Sequence, residues 1–144
     1  MLSILIPVRN ESDCLKDITE YYSKNLTSIN YEVLIINDFS EDDTLQKAKS
    51  IFAENIKFKV LDNKKKGLGG AINLGIKEAK GSKIVIMMAD QSDDIKDLLN
   101  YNNLIDKEDC DAILGSRFLS ESNVSKYPIR KLILNRIFNY FVGL

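Results

Sequence analysis

Two hydrophobic rhythms alternate along the chain. Near-continuous apolar runs occupy 2–8 (LSILIPV), 31–37 (YEVLIIN), 83–89 (KIVIMMA) and 110–116 (CDAILGS), and an alternating run lies at 56–62 (IKFKVLD). Runs of this length, rich in Ile, Leu and Val, predict five β-strands. Between them apolar residues recur at helical spacing, as at Leu15, Ile18, Tyr21 and Tyr22. That spacing predicts helices over 12–26, 40–54, 69–81 and 94–105, and an amphipathic helix from Tyr127. Ser40 and Asp43 form an S-x-x-D capping pattern for the second helix, and Gly81 closes the third.

Strand–helix alternation with near-continuous apolar strands implies a mostly parallel sheet covered by helices on both faces, an α/β class fold. Right-handed crossovers then gather the C-terminal ends of all strands along one edge, where ligands bind in such folds. Those ends are 7–11, 37–40, 62–70, 89–94 and 115–117. Nearly all the unusual polar residues fall there.

Length and composition narrow the classes. At 144 residues the chain fits one domain, taken as 1–144. Apolar residues make up 44% and charged residues 28%, ordinary for a globular protein. The net charge of −1 gives no field for nucleic acid, but residues 116–144 carry +4 and leave −5 on the rest. A basic, apolar end on an acidic body suits anions or an anionic membrane face. Cys14 and Cys110 lie far apart and there is no histidine, which argues against a disulfide framework and a zinc site. Met1 leads into a strand without a basic leader, and no apolar run approaches the ~20 residues of a membrane span. A cytoplasmic location is therefore expected.

The strand ends carry the candidate chemistry. Asn10 and Glu11 suit either a helix start or a polar clamp on a base or ribose. Asp38 could fix a turn or accept hydrogen bonds from a ligand. The stretch NKKKGLGGAINLG (63–75) lacks both the dinucleotide fingerprint and the P-loop, yet its lysines beside a helix start suit an anion. In MADQSDD (88–94), Asp90 closes a buried strand and is placed as a ligand for a hard cation, which takes one or two carboxylates plus phosphates. Asp93 and Asp94 fit the first turn of the next helix.

Taken together, these segments resemble the family 2 glycosyltransferases of the GT-A fold, especially the dolichol-phosphate mannose synthase-like branch. ILIPVRNE looks like the opening strand and Pro-x-x-Asn-Glu motif. EVLIINDFSEDDT resembles VDDGSxDGT, and NKKKGLGGAINLGIKEAKG resembles the N.G.g.A.N.G...A.G segment. IMMADQSDDIKDL stands where MDADLSHDPEDL belongs, and DAILGSRF where DVVIGSRY does. The resemblance implies a three-layer α/β/α sandwich of the Rossmann-like nucleotide-diphospho-sugar transferase kind. It places donor binding in 1–115 and an acceptor- or membrane-side segment in 116–144. Pro7, Asn10, Glu11, Asn37, Asp38, Gly67, Gly70, Ala89 and Asp90 would then meet a GDP- or UDP-sugar. Asp90, helped by Ser92 or Asp93, would hold Mg²⁺ or Mn²⁺ between the donor phosphates. Arg117, with Arg130 or Lys131, would hold the phosphate of a polyprenyl acceptor, and Asp90 and Arg117 would carry the catalysis, an inverting transfer.

Three departures qualify that implication. Met88 stands at the first Asp of Asp-x-Asp, and a thioether is a poor ligand for a hard cation. Asn37 replaces the first Asp of the DD pair. The family pattern continues beyond the position of Leu144, with further strands and the general base of sugar-accepting members. Two alternatives follow: a catalytically incomplete nucleotide-sugar-binding remnant or subunit completed by a partner chain or homo-oligomer, or a transferase acting on cell-surface polysaccharide sugars. In 127–144, Ile129, Leu132, Ile133, Ile137, Tyr140 and Phe141 form one apolar face, with Lys131, Asn135 and Asn139 as a polar stripe. Such a helix either packs on the sheet or lies peripherally on the cytoplasmic membrane face.

Overall fold

Strands with apolar side chains on both faces are stable only between two helical layers. The computed structural model describes residues 1–108, 110–115 and 129–142 (backbone only at 132, 139, 140 and 142), and it shows that arrangement. β1 (Leu2–Val8), β2 (Tyr31–Asn37), β3 (Phe58–Asp62) and β4 (Lys83–Ile86) form a parallel sheet in the order β3-β2-β1-β4. Helices α1 (Leu15–Asn25), α2 (Thr44–Phe52) and α4 (Ile95–Lys107) cover one face. There Ile4, Ile6, Val33 and Ile35 share a core with Leu15, Ile18, Ala48, Phe52, Ile95 and Leu98. Helix α3 (Leu68–Glu78) covers the other face, packing Ala71 on Leu5, Leu34 and Ile36. Gly75 lets α3 approach closely, because a Cβ there would sit 2.6 Å from Ile36 Cδ1. The fold class is the α/β sandwich that the hydrophobic pattern predicts.

Connectivity sets the place of the site. The chain runs outward from β1 through β2 to β3, then crosses back to lay β4 on the far side of β1. The strand order therefore reverses between β1 and β4, and the crevice beyond their C-terminal ends is the usual ligand position. Pro7 widens it. The Leu5 carbonyl faces β4 and accepts from the Met87 amide at 3.0 Å, so the position of Pro7, two residues on, faces the same way. The last β1–β4 pair is Leu5 with Ile86, and Pro7 has no N–H to extend the ladder. The two strands are free to part there.

Several predicted boundaries shift. Helix α2 begins at Thr44 rather than residue 40, because the Ser40 hydroxyl accepts from the Asn10 amide (3.1 Å) instead of capping a helix. Helix α3 ends at Glu78, and Gly81 is required elsewhere. Its amide donates to Ser3 Oγ at 2.8 Å, so close to β1 that a Cβ would lie 2.7 Å from the same oxygen. The fifth predicted strand is not formed at 110–115, and Ser116 lies outside the described residues. A strand needs a ladder. The run Ala112–Leu114 has none, and Leu114 is almost fully exposed.

The chain divides into two compact units, Met1–Glu108 and Asp109–Leu144. The described element of the second is helix α5 (Ile129–Val142). Ile129, Ile133, Ile137 and Phe141 are exposed as one predicted face, but Leu134 and Phe138 are exposed too. Its apolar surface is thus broader than a single stripe. No helix among the described residues is long and apolar enough to cross a membrane.

Candidate functional site

The ends of β1, β2 and β3 are tied by a continuous set of side-chain bonds. The Asn10 amide donates to Ser40 Oγ (3.1 Å), and Asn10 Oδ1 accepts from the Glu41 amide (2.7 Å). The Ser40 amide donates to Asn37 Oδ1 (3.3 Å), and Asn37 Nδ2 donates to Asp62 Oδ1 (2.9 Å). Lys64 Nζ closes the row on Asp62 Oδ2 (2.6 Å). Lys64 and Asn37 together hold the Asp62 carboxyl below the usual carboxylate range. Beside this row, buried Asp38 accepts at Oδ1 from Asn63 Nδ2 (3.0 Å) and the Gly67 amide (2.8 Å). Asn63 also bonds the amide and carbonyl of Lys65, which folds the lysine loop onto itself. Gly67 then turns with φ +112°, and a Cβ on Gly70 would lie 1.9 Å from the Lys65 carbonyl oxygen. Gly70 is required by the closeness of the chain's own loop, and Gly67 is favoured by its positive φ, although a Cβ there would meet open space.

The β1–β4 side is acidic. Glu11 donates its amide to Thr44 Oγ1 (3.0 Å), fixing the turn after β1. Burial raises the proton affinity of its carboxyl, and the negative charge of Asp90 raises it further. Burial and the same two carboxylates push the Cys14 thiol up. Among the described residues no ion pair involves Glu11, Asp90, Asp93 or Asp94. Each aspartate instead holds one backbone amide. Asp90 Oδ1 accepts from Ser92 (3.0 Å), Asp93 Oδ2 from Met88 (2.9 Å) and Asp94 Oδ1 from Lys96 (2.9 Å). Only Asp94 caps α4; Asp93 folds back on the loop. Tyr21 of α1 completes the clamp, its hydroxyl accepting from the Ile95 amide (3.1 Å).

This acidic loop suits a divalent cation bound through one or two carboxylates and completed by a ligand's phosphates. A closed protein cage is not formed: among the described residues no group of three or more acidic or cysteine side chains converges.

Comparison with known proteins decides the relationship. Residues 3–143 match the family described as Glycosyl transferase family 2. The chain belongs to that family. A dolichol-phosphate mannosyltransferase from Pyrococcus furiosus is 32% identical over 133 residues, covering 92% of this chain but 38% of the relative. Among solved structures, S. aureus TarS with UDP-GlcNAc aligns with TM-score 0.59 and 19% identity, over 83% of this chain and 38% of TarS. The mannosyltransferase PcManGT from Pyrobaculum calidifontis, in complex with GDP-Man and Mn²⁺, aligns with TM-score 0.50 and 21% identity, over 62% and 27% of the two chains. These likenesses establish the GT-A fold. The chain spans less than half the length of each.

Within this family-2 framework the predicted residues fall into two groups. Pro7, Asn10, Glu11, Asn37 and Asp38 lie at the ends of β1 and β2, Gly67 and Gly70 at the start of α3, and Asp90 in the loop after β4, which ends at Ile86 rather than at residue 89 and is only half-buried. Ser92 and Asp93 stand in the loop before α4, and Ala89 is buried in the α1–α4 core. Arg117 lies outside the described residues, and Arg130 and Lys131 belong to α5 in the second unit. Sequence reasoning passed over Asn63, Ser40, Thr44 and Tyr21. Asn63 and Ser40 stand inside quoted motifs and could have been found there. Tyr21 bears no local signal, because its partner lies 74 residues away.

Proposed function

We propose that this chain is the donor-binding part of an inverting glycosyltransferase that moves a hexose from a GDP- or UDP-sugar to a polyprenyl phosphate. The observation that carries this reading is Asp90, in the loop after β4 beside the sheet's reversal point, with no ion-pair partner among the described residues. Mg²⁺ or Mn²⁺ held there would neutralise the departing nucleoside diphosphate. The chain's residues do the positioning: Asp38 and Asn63 fix the glycine turn, Asn37 and Ser40 fix the β2 end, and Tyr21 fixes the acidic loop. Arg117, Arg130 and Lys131 are the proposed acceptor-phosphate groups, and exposed α5 is the proposed peripheral contact at the cytoplasmic membrane face. The name of the P. furiosus relative supports the lipid-phosphate acceptor.

A second reading is favoured by Met88, whose side chain offers no hard ligand. In it the chain binds a nucleotide sugar but completes no transfer. Thermal melts with UDP- and GDP-sugars, each with Mn²⁺, Mg²⁺ or EDTA, test the common part. A donor at ~100 times its Kd adds about 2.7 kcal/mol, roughly 2–8 °C for a domain near this size. The metal-dependent gain should vanish in Asp90→Ala. Turnover of polyprenyl phosphate supports the first reading, and donor binding without turnover supports the second.

A further inference from the structure

Each of the four strands is followed by a residue with left-handed backbone: Asn10 (φ +55°), Phe39 (+56°), Gly67 (+112°) and Gln91 (+56°). Glycine takes this conformation freely and asparagine readily, whereas a bulky aromatic is a genuine outlier. Phe39 is held there from both sides. The Asp38 amide donates to the Val8 carbonyl (2.8 Å) and the Ser40 amide to Asn37 Oδ1 (3.3 Å), so the flanking bonds over-determine the strained residue. The ring gains little in return, since it belongs to neither core cluster and is 40% exposed. Glycine would relieve the backbone, and the motif that this segment resembles has glycine there. An aromatic that fits neither its backbone nor a core, set on the ligand-binding edge, needs another reason to be present.

We infer that the Phe39 ring is a stacking surface for the base of a nucleotide. The inference rests on the donor-binding reading above and adds a specificity-determining residue to it. Polar groups of the kind that bond a base or ribose, Asp38 and Asn63, lie on the same β2–β3 side. Asp90, the proposed cation ligand, lies beyond β1, after β4. Two strand spacings, roughly 10 Å, separate the two sides and leave room for a ribose between a stacked base and a diphosphate.

The chain contains no tryptophan, so Phe39→Trp introduces a sole indole. With Mg²⁺ present, UDP or GDP should quench its emission saturably, while pyrophosphate, which has no base, should not. Calorimetry of the full chain supplies the second arm. Phe39→Gly should melt no lower than the parent, because strain is removed, yet bind UDP or GDP about tenfold or more weakly. Phe39→Leu should weaken binding likewise. Parent-like affinity in Phe39→Gly overturns the stacking role alone, and a lower melting point with unchanged affinity assigns the ring to structure. A parent chain that binds neither nucleotide overturns the donor-binding reading and the stacking role with it.

Discussion

Glu11 shows how a single carboxyl reports on the site. Burial and the Asp90 charge both disfavour its ionised form, so its proton is held more tightly in the folded chain than in the unfolded one. The sign of the pH dependence follows. The protonated form stabilises the fold below the unfolded value, and that contribution is lost as pH rises through the higher folded value. At pH 7 the ionised group therefore works against the fold. Glu11→Gln should melt higher than the parent at pH 7, and the difference should close as pH falls towards 4. Paired melts across that range check it, and a Glu11→Gln chain that melts lower at pH 7 would contradict the assigned environment.

At the scale of elements, the amide–carboxylate pair between β2 and β3 is the most exposed to test. Asn37 is buried and spends its Nδ2 on Asp62 and its Oδ1 on Ser40. An aspartate there would set two carboxylates against each other and bury one of them. Asn37→Asp should cost roughly 1–3 kcal/mol at neutral pH, less at low pH where one of the pair takes a proton. Adding Asp62→Asn should recover most of that loss, because the pair is then reversed rather than broken. Urea midpoints of the parent, both single variants and the double variant give the coupling directly. This pair also shows what the sequence could and could not reveal. The departure of Asn37 from the DD pair was visible as a change of residue, and β2 and β3 were visible as runs. That Asp62 answers it was not, because registration across strands depends on packing 25 residues apart. The four formed strands and the strand-end clustering were legible, since period and composition are local properties. The failed strand at 110–115 was not, because an apolar run carries no sign of whether it will find a pairing partner.

At the scale of the molecule, the sheet of the first unit has one open edge among the described residues. Among the described residues β4 pairs only with β1, and Ile84 and Ile86 stand 42% and 43% exposed on it. Val85 and Met87, of opposite parity, pack towards the α1–α4 core, which places Ile84 and Ile86 on the α3 face, where α3 packs against β1 and β2. An unpaired parallel edge beside exposed β-branched residues is a template for association with another strand. The chain should therefore self-associate with rising concentration. The variant Ile84→Lys/Ile86→Lys should suppress this, since charge on an open edge blocks pairing, and should leave the melting temperature nearly unchanged because neither side chain is buried. Sedimentation velocity over a concentration series, alongside thermal melts, separates the outcomes. Unchanged association in the double variant would move the contact elsewhere, with the exposed apolar groups of α5 as the next surface to alter. A large fall in melting temperature would mean that the two isoleucines already serve the fold.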